Sequence, residues 1–200
     1  MTTSEIVASA IAVLSLVVSG VTAYLTLLSR FKGVVLPKRR PILTHITDTP
    51  YLILECEFFN NGAKPGSIED IVVTIVHDET GTPFLFAPKY VTSQINILGN
   101  QLSDLAPFSG ISLSSRERRE LYVAFKPLAQ FAPPKSGIFT IYVRAKVDGN
   151  SKWISSPRPF SLRLNERIVD KWTSSSGETI QIEAIEIGKD RTQYFGGSQR

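Results

Sequence analysis

The sequence predicts an all-β protein, an antiparallel sandwich of seven to eight strands, preceded by one transmembrane helix. Three observations carry that prediction. An uncharged run of 23 residues opens the chain, the hydrophobic pattern after Pro41 repeats every second residue, and no segment between the alternating runs has strong helical periodicity. With 200 residues, 42% of them apolar and 20% charged, the composition is that of a folded protein of one or two domains. The boundaries read as a helix at 1–29, a basic juxtamembrane tether at 30–41, a β-sandwich at 42–165 and a C-terminal extension at 166–200 that holds an edge strand and a flexible tail.

The apolar run, IVASAIAVLSLVVSGVTAYLTLL at residues 6–28, would cross about 34 Å as a helix, enough for a bilayer. A cleaved leader has a basic start and a small-residue cleavage site. Here the run is preceded by MTTSE and followed by SRFKG, which favours a retained single-pass anchor in a cell membrane. Five bases follow it without an acid among them: Arg30, Lys32, Lys38, Arg39 and Arg40. Bases flanking a span stay on the cytoplasmic side, so the expected topology is N-terminus outside and β domain cytoplasmic. Arg30 and Lys32 mark the helix exit, and Lys38, Arg39 and Arg40 are expected near anionic headgroups, at about 1 kcal/mol each. Pro37 and Pro41 bracket the second cluster and discourage continuation of the helix.

Along the helix, small residues recur at Ala8, Ala12, Ser15, Ser19, Thr22 and Thr26. A seam of that heptad spacing lets helix backbones approach closely in lipid, and it predicts a homo-oligomer formed through the transmembrane helix.

In YLILECEFF at residues 51–59, Leu52, Leu54, Cys56 and Phe58 point one way while Glu55 and Glu57 point the other, which makes a half-buried strand with Cys56 in the core. Residues 60–66 supply the turn, and IEDIVVTIVHD at 68–78 reads as a central strand covered on both faces. Three more strands alternate cleanly, through Leu121, Val123 and Phe125, through Phe139 to Val147, and through Phe160, Leu162 and Leu164. Shorter strands are expected at 42–46 and 84–86, a long loop at 94–110, and a tight hairpin at Asp148-Gly149-Asn150.

FFNNGAKPGSIEDIVVTIV at 58–76 and FKPLAQFAPPKSGIFTIYVRAKV at 125–147 resemble elements of the immunoglobulin-like superfamily, in particular its bacterial domains. The first is similar to their strand, Asn-Gly turn and strand, and the second to their penultimate connection into a long strand. Phe139 stands where many relatives carry a corner tyrosine, and the sequence has neither a cysteine pair nor a tryptophan on the third strand. The resemblance spans about residues 41–165 and implies a fold used mainly for binding.

The extension is harder to read. ERIVDKW either continues the last strand or turns into a short helix, and ETIQIEAIEIG alternates through Ile180, Ile182 and Ala184 before shifting phase at Ile185 and Ile187. The edge strand is expected to pair within its own domain, with addition to the sheet edge of another chain as the alternative.

Charge and chemistry narrow the function classes. The net charge of +4 resides entirely in residues 1–40, and the remaining chain is balanced at 17 bases and 17 acids. A neutral folded region is a poor phosphate-backbone binder, so no nucleic-acid partner is expected. One cysteine and two distant histidines write no metal-ligand spacing, and phosphate loops, nucleophile elbows and zincin helices are missing. The reading is a non-enzyme without cofactor or metal, a membrane-anchored module that binds a protein partner of unknown identity beside the lipid bilayer. Its candidate contact face is Tyr142, Arg144, Lys146 and Arg163 on neighbouring strands. Two alternatives are a membrane effector whose helix oligomerises on partner binding, and an exported surface-binding module.

Overall fold

The computed structural model describes residues 2–46, 48–95, 105–148, 153–174, 179–182 and 184. Helix α1, Thr3–Ala23, opens with the Thr2 N–H donating to the Glu5 carboxylate at 2.7 Å and ends in one π-helical turn, Tyr24–Leu28. Over Thr3–Leu27 the mean hydropathy is 2.3 and none of the surface is buried, so this helix is long and apolar enough to cross a membrane.

Twelve strands follow among the described residues: β1 Gly33–Pro37, β2 Ile42–Ile46, β3 Thr49–Asn60, β4 Gly66–His77, β5 Pro83–Thr92, β6 Ala106–Pro107, β7 Ile111–Leu113, β8 Arg118–Pro127, β9 Gly137–Val147, β10 Trp153–Ser155, β11 Phe160–Leu164 and β12 Ile180–Gln181. All pair antiparallel; eight of them form the path β10-β9-β4-β5-β8-β3-β2-β12, and β1, β11, β6 and β7 pair beside it with β3, β9, β5 and β4. Long strands share their edges between short partners. β3 takes β2 on its first half and β1 on its second, and β9 takes β11 on its first half and β10 near its end.

β5 is the corner of this path. Its first residues pair with β4 and the rest with β8, with a register shift between Pro88 and Tyr90. The two halves of the sheet thereby fold over one core. Leu52, Leu54, Cys56 and Phe58 of β3 meet Ile71, Val73 and Ile75 of β4, Val123 and Phe125 of β8, and Phe139, Ile141 and Val143 of β9 there, all buried. Each such side chain contributes about 1.5–3 kcal/mol by leaving water. Burial also pushes the Cys56 thiol pKa up, so that it sits as a neutral hydrophobe.

The structure moves three of the expected boundaries. Residues 30–41 are not a free tether, because Val34 to Leu36 alternate like any strand and β1 pairs with β3 from Gly33 opposite Asn60 to Pro37 opposite Cys56. Nor is the chain after residue 165 an appendage. Glu166–Thr173 forms helix α2, capped by Asn165, whose side-chain oxygen accepts the Ile168 N–H at 2.9 Å. Val169 and Trp172 share one face of it and enter the core. The Trp172 indole stacks on Phe86, stands edge-on to Phe131, and donates its N–H to the Tyr51 carbonyl at 3.1 Å. A helix of eight residues is too short for its period to be read. β12 then pairs with β2 of the same domain. The third change is at the 84–86 strand, which is the start of β5. Its continuation is obscured by Pro88 and the register shift beside it.

Other expectations hold in part. The inner face of β4 is buried, whereas Val72, Thr74 and Val76 on its outer face are half-buried. The Gly149-Asn150 turn, Ile185, Ile187 and the C-terminal tail lie outside the described residues.

Candidate functional site

The joint between α1 and the β domain is held by a network of side-chain and backbone hydrogen bonds. Ser29 leaves the helix in an extended conformation, and its carbonyl accepts the Ala63 and Lys64 N–H groups at 3.0 and 3.1 Å. Its hydroxyl donates back to the Leu25 carbonyl at 3.0 Å and accepts the Ala63 N–H at 2.9 Å. Asn60, at the end of β3, is buried and uses its whole carboxamide. Its oxygen accepts from the Lys32 and Gly62 N–H groups at 3.2 and 2.8 Å, and its nitrogen donates to the Lys64 and Ser114 carbonyls at 2.8 and 2.9 Å. The Asn61 N–H closes the ring onto the Lys32 carbonyl. Only glycine fits at residue 62, where a Cβ would lie 1.9 Å from the Arg30 carbonyl oxygen.

A third segment joins from the turn before β8. Arg116 occupies the left-handed region at φ 56, which costs an arginine about 1 kcal/mol or more. That conformation lets its backbone N–H reach the Gly62 carbonyl while its guanidinium donates to the Leu25 carbonyl at 3.2 Å. A cation at the C-terminal end of a helix satisfies an orphan carbonyl and complements the helix dipole.

The joint therefore gathers four exposed bases, Arg30, Lys32, Lys64 and Arg116, and none has an acidic partner among the described residues. Sequence reasoning found the first two. Lys64 and Arg116 lie in turns distant in sequence, and only the Asn-Gly turn and the β8 approach bring them to the helix. Neighbouring bases are already neutralised, Arg118 by Glu57 at 2.6 Å and Arg119 by Glu117 at 2.5 Å. Beside the joint, an open groove of about 400 Å³ runs between Leu36, Phe59, Asn61, Arg116 and Arg118.

The expected membrane flank is thus divided. Arg30 and Lys32 are at the exit, but β1 carries Lys38 about 17 Å further along, beyond a Debye length of about 8–10 Å. Lys38 is bound by Glu55 at 2.5 Å and Glu120 at 3.1 Å, which raise its pKa. Arg39 and Arg40 follow it, with the Arg39 carbonyl accepting the Ala184 N–H.

The expected contact face is only partly assembled. Tyr142, Arg144 and Lys146 alternate along the outer side of β9, and exposed Trp153 of β10 stands opposite Lys146. Arg163 of β11 faces Ile138, four residues from Tyr142 or about 13 Å away. Between them lie buried Thr140 and Ser161, which share a hydrogen bond at 2.9 Å. Lys146 is held by Glu69 at 2.7 Å, which raises its pKa. Of the six small residues, Ala8, Ala12, Ser15, Ser19 and Thr22 fall within an arc of about 80° on α1, Thr26 lies in the π-helical turn that follows, and all six are exposed. The Thr26 hydroxyl is already donated to the Thr22 carbonyl at 2.7 Å.

No group of three or more His, Cys, Asp or Glu is placed to hold a metal among the described residues. His77 has a structural setting. Its Nδ1 lies 3.0 Å from the Thr80 hydroxyl, and the Ser136 carbonyl 3.3 Å from Nε2 puts the proton there. Gly137, at φ 146, leaves the room that this ring fills, since a Cβ would come within 2.2 Å of Nε2.

No protein-family model matches the sequence, and no curated protein matches it. Among solved structures, a family 123 glycoside hydrolase from Clostridium perfringens, described in work on glycolipid glycan hydrolysis, is similar at 11% identity with a TM-score of 0.37. The match covers 67% of this chain and 27% of that one, so this chain spans about a quarter of that protein. That neighbour is an enzyme, and on this finding the sequence-based exclusion of an enzyme is withdrawn. A likeness this distant carries no argument about a reaction, and none is assigned.

Proposed function

We propose that this chain is a single-pass membrane-anchored interaction protein whose β domain is held in a fixed attitude on the cytoplasmic face of the bilayer. The observation that carries the reading is the joint, where a fully exposed apolar helix of 25 residues runs into Ser29, Asn60 and Gly62 without a flexible linker. A loose anchor raises only the local concentration of a binding domain. A clamped one also fixes which face looks along the membrane and which looks away.

The orientation follows from the five bases that flank the helix exit, Arg30, Lys32, Lys38, Arg39 and Arg40, and the single acid, Glu5, before it. We read the double-walled β domain as a variant of the immunoglobulin-like sandwich. In its favour are the antiparallel strands, a main core between the two halves and a corner strand shared by both. A core tryptophan supplied by α2 departs from that pattern. The contact surface is the outer side of β9 and β10, where Tyr142, Arg144 and Trp153 combine aromatic area with a cation suited to a protein partner.

A pull-down in mild detergent from the native membrane tests this reading. A partner retained by the full chain and lost from a Tyr142→Ala/Arg144→Glu variant supports it, and an unchanged set of captured proteins contradicts it.

The exposed small-residue arc favours a second reading, in which the helices associate and the chain is an effector assembled in the bilayer. Crosslinking in membranes that survives Ala12→Leu/Ser19→Leu contradicts that reading.

A further inference from the structure

The geometry points to an anionic phospholipid headgroup site at the helix exit, formed by Arg30, Lys32, Lys64 and Arg116. The inference rests on the reading that α1 spans the bilayer. The Leu25 carbonyl belongs to the last helical turn, so the guanidinium that binds it sits at the depth where hydrocarbon gives way to headgroups. Lys64 is tied to the same level through its N–H to the Ser29 carbonyl, and Lys32 through its N–H to Asn60.

Three separate chain segments thus place four cations around one helix terminus. Backbone hydrogen bonds set the places of Lys32, Lys64 and Arg116, and all four residues are exposed. The acids nearest in sequence are occupied elsewhere, Glu57 by Arg118 and Glu117 by Arg119. Arg116 spends one of its five donors on Leu25 and keeps a planar fork suited to a phosphodiester. Cations close to an anionic leaflet each contribute about fivefold to the local preference, and this falls off within a Debye length. Lys38, Arg39 and Arg40 therefore take no part, although they are the densest basic cluster in the sequence.

The test uses the full chain in phosphatidylcholine vesicles containing phosphatidylglycerol. Electron paramagnetic resonance of spin-labelled tracer lipids reads the restrained fraction of each headgroup. We expect phosphatidylglycerol to be preferred by about threefold or more, with the preference lost in Lys32→Gln/Lys64→Gln and Arg30→Gln/Arg116→Gln and kept in Lys38→Gln/Arg39→Gln/Arg40→Gln. Equal restraint of both lipids around the inserted wild-type chain overturns the inference. So does a preference carried by residues 38–40.

Sodium phosphate and sodium chloride at matched ionic strength should weaken the preference equally. A selective loss with phosphate would make this a soluble-phosphate site and overturn the lipid assignment. Alkaline extraction of the same vesicles separates the two levels. Release of the chain contradicts the anchoring and the inference with it, whereas retention without preference contradicts the headgroup site alone.

Discussion

The Asn60 side-chain oxygen accepts the backbone N–H of Lys32 at 3.2 Å, a contact between residues 28 apart that joins the end of β3 to the first residues after α1. With its amide nitrogen on Lys64 and Ser114, the same side chain holds three segments at once. Asn60→Ala leaves several buried polar groups without partners, each costing about 1–3 kcal/mol. We expect the detergent-solubilised full chain to lose about 2–3 kcal/mol in thermal unfolding. A midpoint within a degree of wild type would show that the joint bears little on stability.

Gly62→Ala tests the same joint without touching a hydrogen-bonding side chain. The new Cβ meets a backbone carbonyl rather than a flexible side chain, so the β3–β4 turn must move away from Arg30. Arg30 and Lys32 are trypsin sites, and release of the helix should quicken by at least about tenfold relative to wild type. Unchanged cleavage kinetics would mean that the exit is already open in solution.

Trp172→Ala removes the largest buried side chain together with its bond to Tyr51. The expected loss is about 3–5 kcal/mol, enough to unfold a domain at the low end of the usual stability of about 5–15 kcal/mol. Truncation after Asn165 should have the same outcome, read as loss of the near-ultraviolet circular dichroism signal. A folded truncated domain would contradict the placement of α2 in the core.

His45 of β2 gives a pH dependence. Both its ring nitrogens are shielded and without a partner among the described residues, and burial holds its pKa below 6.5 against the pull of Asp48. Below 6.5 the unfolded chain binds a proton that the folded chain refuses, so this contribution to stability is present above that pH and declines as the pH falls towards the depressed value. His45→Leu should flatten the decline in urea midpoint between about pH 7 and about pH 5. Parallel curves for the two proteins would exclude His45 as its source.

The burial of Cys56 offers a separate check. A thiol with its pKa raised by burial stays protonated and shielded, so maleimide should label the wild-type chain only at the rate of global unfolding. Stoichiometric labelling within minutes under native conditions would contradict the core position.

Legibility in the sequence followed the physics of each element. The alternation of Leu52, Leu54, Cys56 and Phe58 is a local signal, and so is that of Phe139 through Val147. Both appear in the fold with the expected faces inward. β1 escaped notice because its bases and prolines dominate a stretch whose three apolar residues are too few to show a period. α2 was ambiguous because eight residues make barely two turns. Only Arg30 and Lys32 of the basic joint are legible in the sequence, since Lys64 and Arg116 reach the helix only through turns whose closure depends on Asn60 and Gly62. An Asn-Asn-Gly run in a sequence signals a tight connection, not what it packs against. Conversely, Lys38 to Arg40 looked like membrane flank because sequence distance was short. An extended strand turns that short distance into about 17 Å.

The central claim is that α1 crosses the bilayer with the joint on the cytoplasmic side, and cysteine accessibility tests it most directly. Because native Cys56 is buried, a single introduced thiol reports its own position. In intact cells a membrane-impermeant maleimide should label Ser4→Cys at once and Lys64→Cys only after the membrane is permeabilised. Labelling of Lys64→Cys from outside, with Ser4→Cys protected, would contradict the account.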